Sequence, residues 1–118
     1  MLVDAANGQE VAWHVVPYSN GVLDRKLPGG VTLKADFALQ DPLDYLTVLY
    51  EAIPAVLQMA GIHNTRVAGI GVDFTSCTIL PSKTDGTPLR SIPELKNNPH
   101  AWVKLWKHHA AQPQATRI

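Results

Sequence analysis

The chain has 118 residues, 46% of them apolar and 17% charged, and ten basic residues balance ten acidic ones. That length supports one core of ordinary size, and the composition is that of a globular chain. Zero net charge favours neither nucleic acid nor an anionic membrane surface as partner, and a single cysteine excludes an intrachain disulfide, which makes a reducing cytosol the default compartment.

Residues 1–8 lack the pattern of a signal peptide, and no apolar run nears the roughly twenty residues that span a bilayer. The expectation is a soluble cytoplasmic protein. Residues 2–4 resemble the tail of a strand, and Asn7-Gly8 follows almost at once. Both turn residues tolerate the positive φ of a type I′ turn, which predicts a hairpin with a return strand over 11–16, ended by Pro17. Residues 19–38 carry Asn20-Gly21 and Pro28-Gly29-Gly30 and form a predicted loop with a short strand at 31–33. Asp41 is a good N-cap and Pro42 suits the first helical position. Leu43, Leu46, Leu49, Tyr50, Ile53 and Leu57 then share one helical face, Pro54 predicts a kink, and Gly61 a stop.

Residues 67–80 read as a buried strand that opens with Gly69-Ile-Gly-Val72 and turns polar within four residues. Its carboxyl end would deliver Asp73, Thr75, Ser76 and Cys77 into a crevice, where open α/β sheets bind ligands. Asp85-Gly86 predicts a second hairpin turn. Asn98-Pro99 predicts a second helix, presenting Trp102, Leu105 and Trp106 at i, i+3, i+4 and stopping before Pro113. The class is α/β. The short outgoing strand and the unterminated tail at 113–118 both suggest a piece of something longer.

The candidate residues each have a plainer role. Cys77 is a nucleophile only in an electropositive setting with a base, and no partner is identifiable, so an inert thiol or pocket wall is preferred. Asp73 is either a base near substrate or a turn cap. His100, His108 and His109 match no zinc framework, so packing or surface roles are preferred. Trp102 and Trp106 fit a core stripe better than a sugar platform, and Lys104 and Lys107 fit a solvated face.

The strings Val67-Ala-Gly-Ile-Gly-Val-Asp-Phe-Thr-Ser-Cys-Thr-Ile-Leu-Pro81, Asp85-Gly-Thr-Pro-Leu89 and Asn98-Pro-His-Ala-Trp-Val-Lys-Leu-Trp-Lys-His-His-Ala-Ala-Gln112 resemble the FGGY carbohydrate kinase family. Asp4-Ala-Ala-Asn-Gly-Gln-Glu-Val-Ala12 and Asp36-Phe-Ala-Leu-Gln-Asp-Pro-Leu-Asp-Tyr45 resemble it in the same order. The likeness covers essentially the whole chain. The Trp-Val-Lys-Leu-Trp-Lys-His-His block is specific to the branch that phosphorylates L-ribulose in L-arabinose catabolism.

The resemblance implies a partial ribonuclease-H-like (actin-like ATPase) domain with a mixed sheet and two main helices, residues 1–118 forming one partial domain of the N-terminal sugar-kinase domain. It implies ATP and Mg2+ as cofactors of the intact enzyme, and a sugar substrate contacted by Asp73, Thr75, Ser76 and Cys77. The family's first strand with its glycine-rich turn, its catalytic aspartate and its adenosine-binding domain have no counterpart here, so the chain alone is expected to be inactive and to bind no cofactor. Gly69-x-Gly71 has no third glycine and is no phosphate loop. Without the central first strand, the hairpin and the strand at 67–72 should separate, giving a rearranged sheet, pairing of the exposed edges with another chain (a second copy included), or a native-like layout with an empty slot. Two other readings are an assembly module of a split kinase and a small cysteine hydrolase.

Overall fold

The computed structural model describes residues 1–118. It divides into two compact units, Met1–Tyr18 with Tyr45–Asp73, and Ser19–Asp44 with Phe74–Ile118. It mixes α and β elements, but both its sheets are two-stranded and antiparallel, in place of the one mixed sheet expected.

In the first unit, β1 (Leu2–Val3) pairs with β2 (Glu10–Ala12) as the expected hairpin. The turn is wider than type I′. The Asp4 carbonyl accepts the Gly8 N–H at 2.8 Å, and Gly8 alone takes a positive φ, of 75°. Side chains decide this: Asp4 accepts the Ala6 N–H and Asn7 accepts the Gln9 N–H, both at 2.8 Å, so two Asx turns replace the tight pair. Pairing stops at Ala12 and not at Val16, because β1 offers only two residues.

Helix α1 (Pro42–Ala60) starts where expected, with the Asp41 carboxylate accepting the Leu43 N–H at 3.1 Å, and runs on past Pro54. It ends at Gly61, whose φ is 64°. The Ile62 N–H reaches the Leu57 carbonyl and the Gly61 N–H reaches that of Gln58, both at 3.1 Å, a Schellman motif. The predicted apolar face is largely uncovered: Leu46 is 49% exposed, Leu49 44% and Tyr50 77%. The periodicity correctly marked a helix, but within this chain no layer packs over most of that face.

The predicted strand over 67–80 does not form. After a 3-10 turn at Asn64–Arg66, residues 68–72 make no backbone–backbone hydrogen bond, and Ile70 and Val72 are 67% and 62% exposed. An apolar run becomes a strand only when a neighbour supplies donors and acceptors, and none of these residues has one.

The second unit holds the core. Leu27, Leu33, Phe37, Leu39, Ala101 and Trp102 form one buried cluster. Its ladder is β3 (Leu39–Gln40) against β4 (Val103–Lys104), widened by single bridges from Leu23 to Leu39 and from Ile79 to Lys104. The loop over 19–38 contributes Leu27 and Leu33 to the core, and its predicted strand is reduced to the Lys26–Thr32 bridge. The turn at Asp85-Gly86 forms as expected, with Gly86 at φ 84° and the Asp85 carboxylate accepting the Thr87 N–H at 2.9 Å.

The second predicted helix is also absent. Asn98 does cap a helical turn, accepting the His100 N–H at 3.0 Å, but the turn is a single 3-10 one at Pro99–Ala101 that straightens into β4. Trp102, Val103 and Leu105 are all buried whereas Trp106 is 61% exposed, which no helical stripe produces. Strand pairing with β3 overrides local helical spacing here. The short helix that follows, α2 (Gln112–Ala115), holds in its first turn Pro113, the residue before which the predicted helix was to stop, since proline is tolerated in a first turn.

Candidate functional surface

Asp73 ends one unit, and Thr75, Ser76 and Cys77 open the next; all four are exposed. Ser76-Cys77 is a turn in which Cys77 takes a left-handed φ of 59°, and its Sγ lies 3.6 Å from the Ser76 Oγ. That hydroxyl, and no histidine, is its hydrogen-bonding neighbour. Two residues on, Ile79 is anchored, exchanging backbone bonds of 2.9 Å in both directions with Lys104. Three polar side chains therefore sit on a turn tied down on one side. Between turn and anchor, the Thr78 Oγ1 is buried without a partner.

Across that bridge, Trp106 stands two residues beyond Lys104, as Cys77 stands two before Ile79. It is the large exposed aromatic on this stretch, and helical spacing had placed it in the core. The alternation Val103-Lys104-Leu105 was the signal for a strand instead. Lys104 turns inward, its Nζ donating to the carbonyls of His100 at 2.8 Å and Trp102 at 3.1 Å, and burial lowers its pKa. His108 accepts the Ala38 N–H on Nδ1 at 3.2 Å and meets Phe37 edge-on, so its role is packing.

The Gln40-Asp41-Pro42 stretch is structural. Gln40 donates to the Gly21 carbonyl at 2.8 Å, Asp41 caps α1 and pairs with Arg90 at 2.8 Å, and Pro42 begins the helix. Asp44 accepts the Asn20 N–H at 2.6 Å.

The residues present do not fit ATP or Mg2+. No three histidine, cysteine, aspartate or glutamate side chains gather to hold a metal ion. Gly69 and Gly71, the nearest approach to a phosphate turn, line an aliphatic groove with no cation among its lining residues. No step through a nucleotide is assigned to this chain.

That groove measures about 490 Å³ in the first unit, where α1 provides Val48, Leu49, Ala52, Ile53, Val56 and Leu57, and residues 1–3, 67 and 69–71 provide the rest. None of Asp73, Thr75, Ser76 and Cys77 lines it. No helix is long and apolar enough to cross a membrane.

No family model matches the chain. Its sequence is nevertheless homologous from end to end to sugar kinases. The particular relatives are ribulokinases: that of Halalkalibacterium halodurans is 52% identical over 119 residues, that of Geobacillus thermodenitrificans 54% over 119, and that of Mycolicibacterium smegmatis 48% over 120. Each alignment takes in 100% of this chain and 21% of the relative. The chain therefore spans about a fifth of the length of the curated relatives it matches.

Proposed function

We propose that this chain supplies the sugar-facing wall of a ribulokinase-type carbohydrate kinase, an enzyme that transfers the γ-phosphate of ATP, with Mg2+, to L-ribulose. The observation that carries the reading is identity of about half the residues over the whole chain to proteins named ribulokinase. In this reading the exposed turn meets the substrate. Thr75 and Ser76 both donate to and accept from sugar hydroxyls, Cys77 leaves room beside the backbone for an open-chain ketose, and Asp73 accepts from a hydroxyl. Residues 1–118 then form one partial domain of the ribonuclease-H type, in a cytoplasmic enzyme of L-arabinose catabolism. The chain alone is inactive, because phosphoryl transfer needs clamped phosphates, a metal and an oriented nucleophile, and its residues provide none of these.

The test uses the intact Geobacillus thermodenitrificans relative. Valine at the position aligned with Ser76 should raise KM for L-ribulose about tenfold, the loss expected when one buried hydrogen bond goes unmade, with ATP KM unchanged. An unchanged KM for L-ribulose would overturn the assignment. Phosphorylation of L-ribulose by the purified 118-residue chain would overturn the claim that it is inactive.

A further inference from the structure

His108 does more than fill space beside Phe37. Any ring would serve for packing, whereas a histidine adds an acceptor that exists only while the ring is neutral. Its Nδ1 takes the N–H of Ala38, a residue 4% exposed, at 3.2 Å. The same alanine gives its carbonyl to the Leu105 N–H at 3.0 Å, and the Asp36 carbonyl accepts the His109 N–H at 2.9 Å. The His108 N–H closes the intervening turn on the Leu105 carbonyl at 2.9 Å. Residues 105–109 therefore grip residues 36–38 by three bonds, of which the imidazole's is the one made by a titratable group.

The gripped segment leads straight to the exposed turn. Leu39 follows Ala38 and faces Lys104 across the β3–β4 ladder. Lys104 bridges on its other edge to Ile79, two residues past Cys77. A bond lost at Ala38 thus lies one residue from the ladder position that holds the turn. Protonation would put an N–H on Nδ1 facing the Ala38 N–H, leaving both donors unmet. The charges that face the ring oppose that step. Lys104 acts from β4, His100 from the 3-10 turn at Pro99–Ala101, where it also meets the Phe37 ring, and His109 from the next position. On the opposing segment Asp36 is exposed and engages His109 through its carbonyl.

We infer that His108 is a positioning residue for the sugar-facing turn, its neutral imidazole latching the residues that flank β3 and β4 so that Thr75, Ser76 and Cys77 are held for L-ribulose. The inference rests on the sugar reading of that turn and adds to it a dependence on pH. While the ring is neutral the latch is shut. As pH falls through the ring's folded value, which burial holds below the ordinary 6.5, the latch opens and sugar binding weakens.

The experiment measures KM for L-ribulose and for ATP in the intact Geobacillus thermodenitrificans relative between about pH 8 and 5.5. Leucine at the position aligned with His108 should raise the L-ribulose KM about fivefold at the upper pH, the lower range for a buried donor left unmet, with kcat and the ATP KM unchanged. Asparagine there accepts an N–H at every pH. It should keep the parent's KM at the upper pH and abolish the rise of about fivefold that the parent shows at the lower. Hydrogen exchange read by mass spectrometry should run faster over the residues aligned with 75–79 in the leucine variant than in the asparagine one. If the leucine variant does not fold, the pH profiles of the parent and the asparagine variant carry the test. The inference is overturned if leucine leaves KM unchanged, if asparagine behaves as leucine does, or if the asparagine variant keeps the parent's rise at low pH. Valine at the position aligned with Ser76 is scored beside them. Where it raises KM and leucine does not, the latch falls and the sugar reading stands; where neither raises it, both fall.

Discussion

Arg90 and Asp41 form an ion pair of 2.8 Å in which Asp41 is almost wholly buried, and the guanidinium carbon lies 4.6 Å from the centre of the Trp102 ring. One aspartate thereby joins three parts of the second unit: the start of α1, the 3-10 turn at Leu89–Ser91, and the core tryptophan.

Removing one partner of a buried pair strands the other charge. Arg90→Ala should cost about 3 kcal/mol in urea unfolding, the low end for such pairs because Arg90 keeps some solvent access. Asp41→Asn separates the roles, since asparagine caps a helix as well as aspartate does. A loss close to that of Arg90→Ala would assign the effect to the pair, and a loss of a few tenths would leave only the cap.

Trp102 is 1% exposed and donates through Nε1 to the Lys96 carbonyl at 3.0 Å. Trp102→Ala should cost about 4 kcal/mol, from lost burial and the cavity left behind. Trp102→Phe should cost less than half of that while leaving the Lys96 carbonyl unmet. Chemical denaturation of both variants checks the ranking.

His108 accepts the Ala38 N–H, so its neutral form is the one that fits. Burial lowers its pKa first, and the charges of Lys104, His100 and His109 lower it further. A depressed histidine contributes stability above its ordinary value of about 6.5, and that contribution is lost as pH falls through the folded value. Unfolding midpoints measured between about pH 8 and 5 should decline below about 6.5. In His108→Gln the decline should be shallower.

Gly61 ends α1 at φ 64° with open space where a Cβ would lie. Backbone strain is therefore the whole cost of Gly61→Ala, about 1 kcal/mol, and Gly61→Asn should recover part of it. Thermal unfolding of the two variants against the parent measures this directly.

Features set by neighbours in sequence were legible before any coordinates. Asp41-Pro42 opens α1, Gly61 closes it, and Asp85-Gly86 turns the chain, because a cap, a fixed φ and an Asx bond involve only a few adjacent residues. The site residues were legible only as a polar run after an apolar one. That they sit on an exposed turn, held by Ile79 against Lys104, depends on a partner 25 residues away in sequence.

The sequence by itself determined the helix, its two ends, the turns and the kinship with ribulokinases. Tertiary structure alone decided that residues 68–72 stay unpaired, that Trp102 is core while Trp106 faces solvent, and that the stripe on α1 lies open. The reason is physical: a capped helix satisfies its backbone internally, whereas a strand and an apolar face are completed only by something packed alongside.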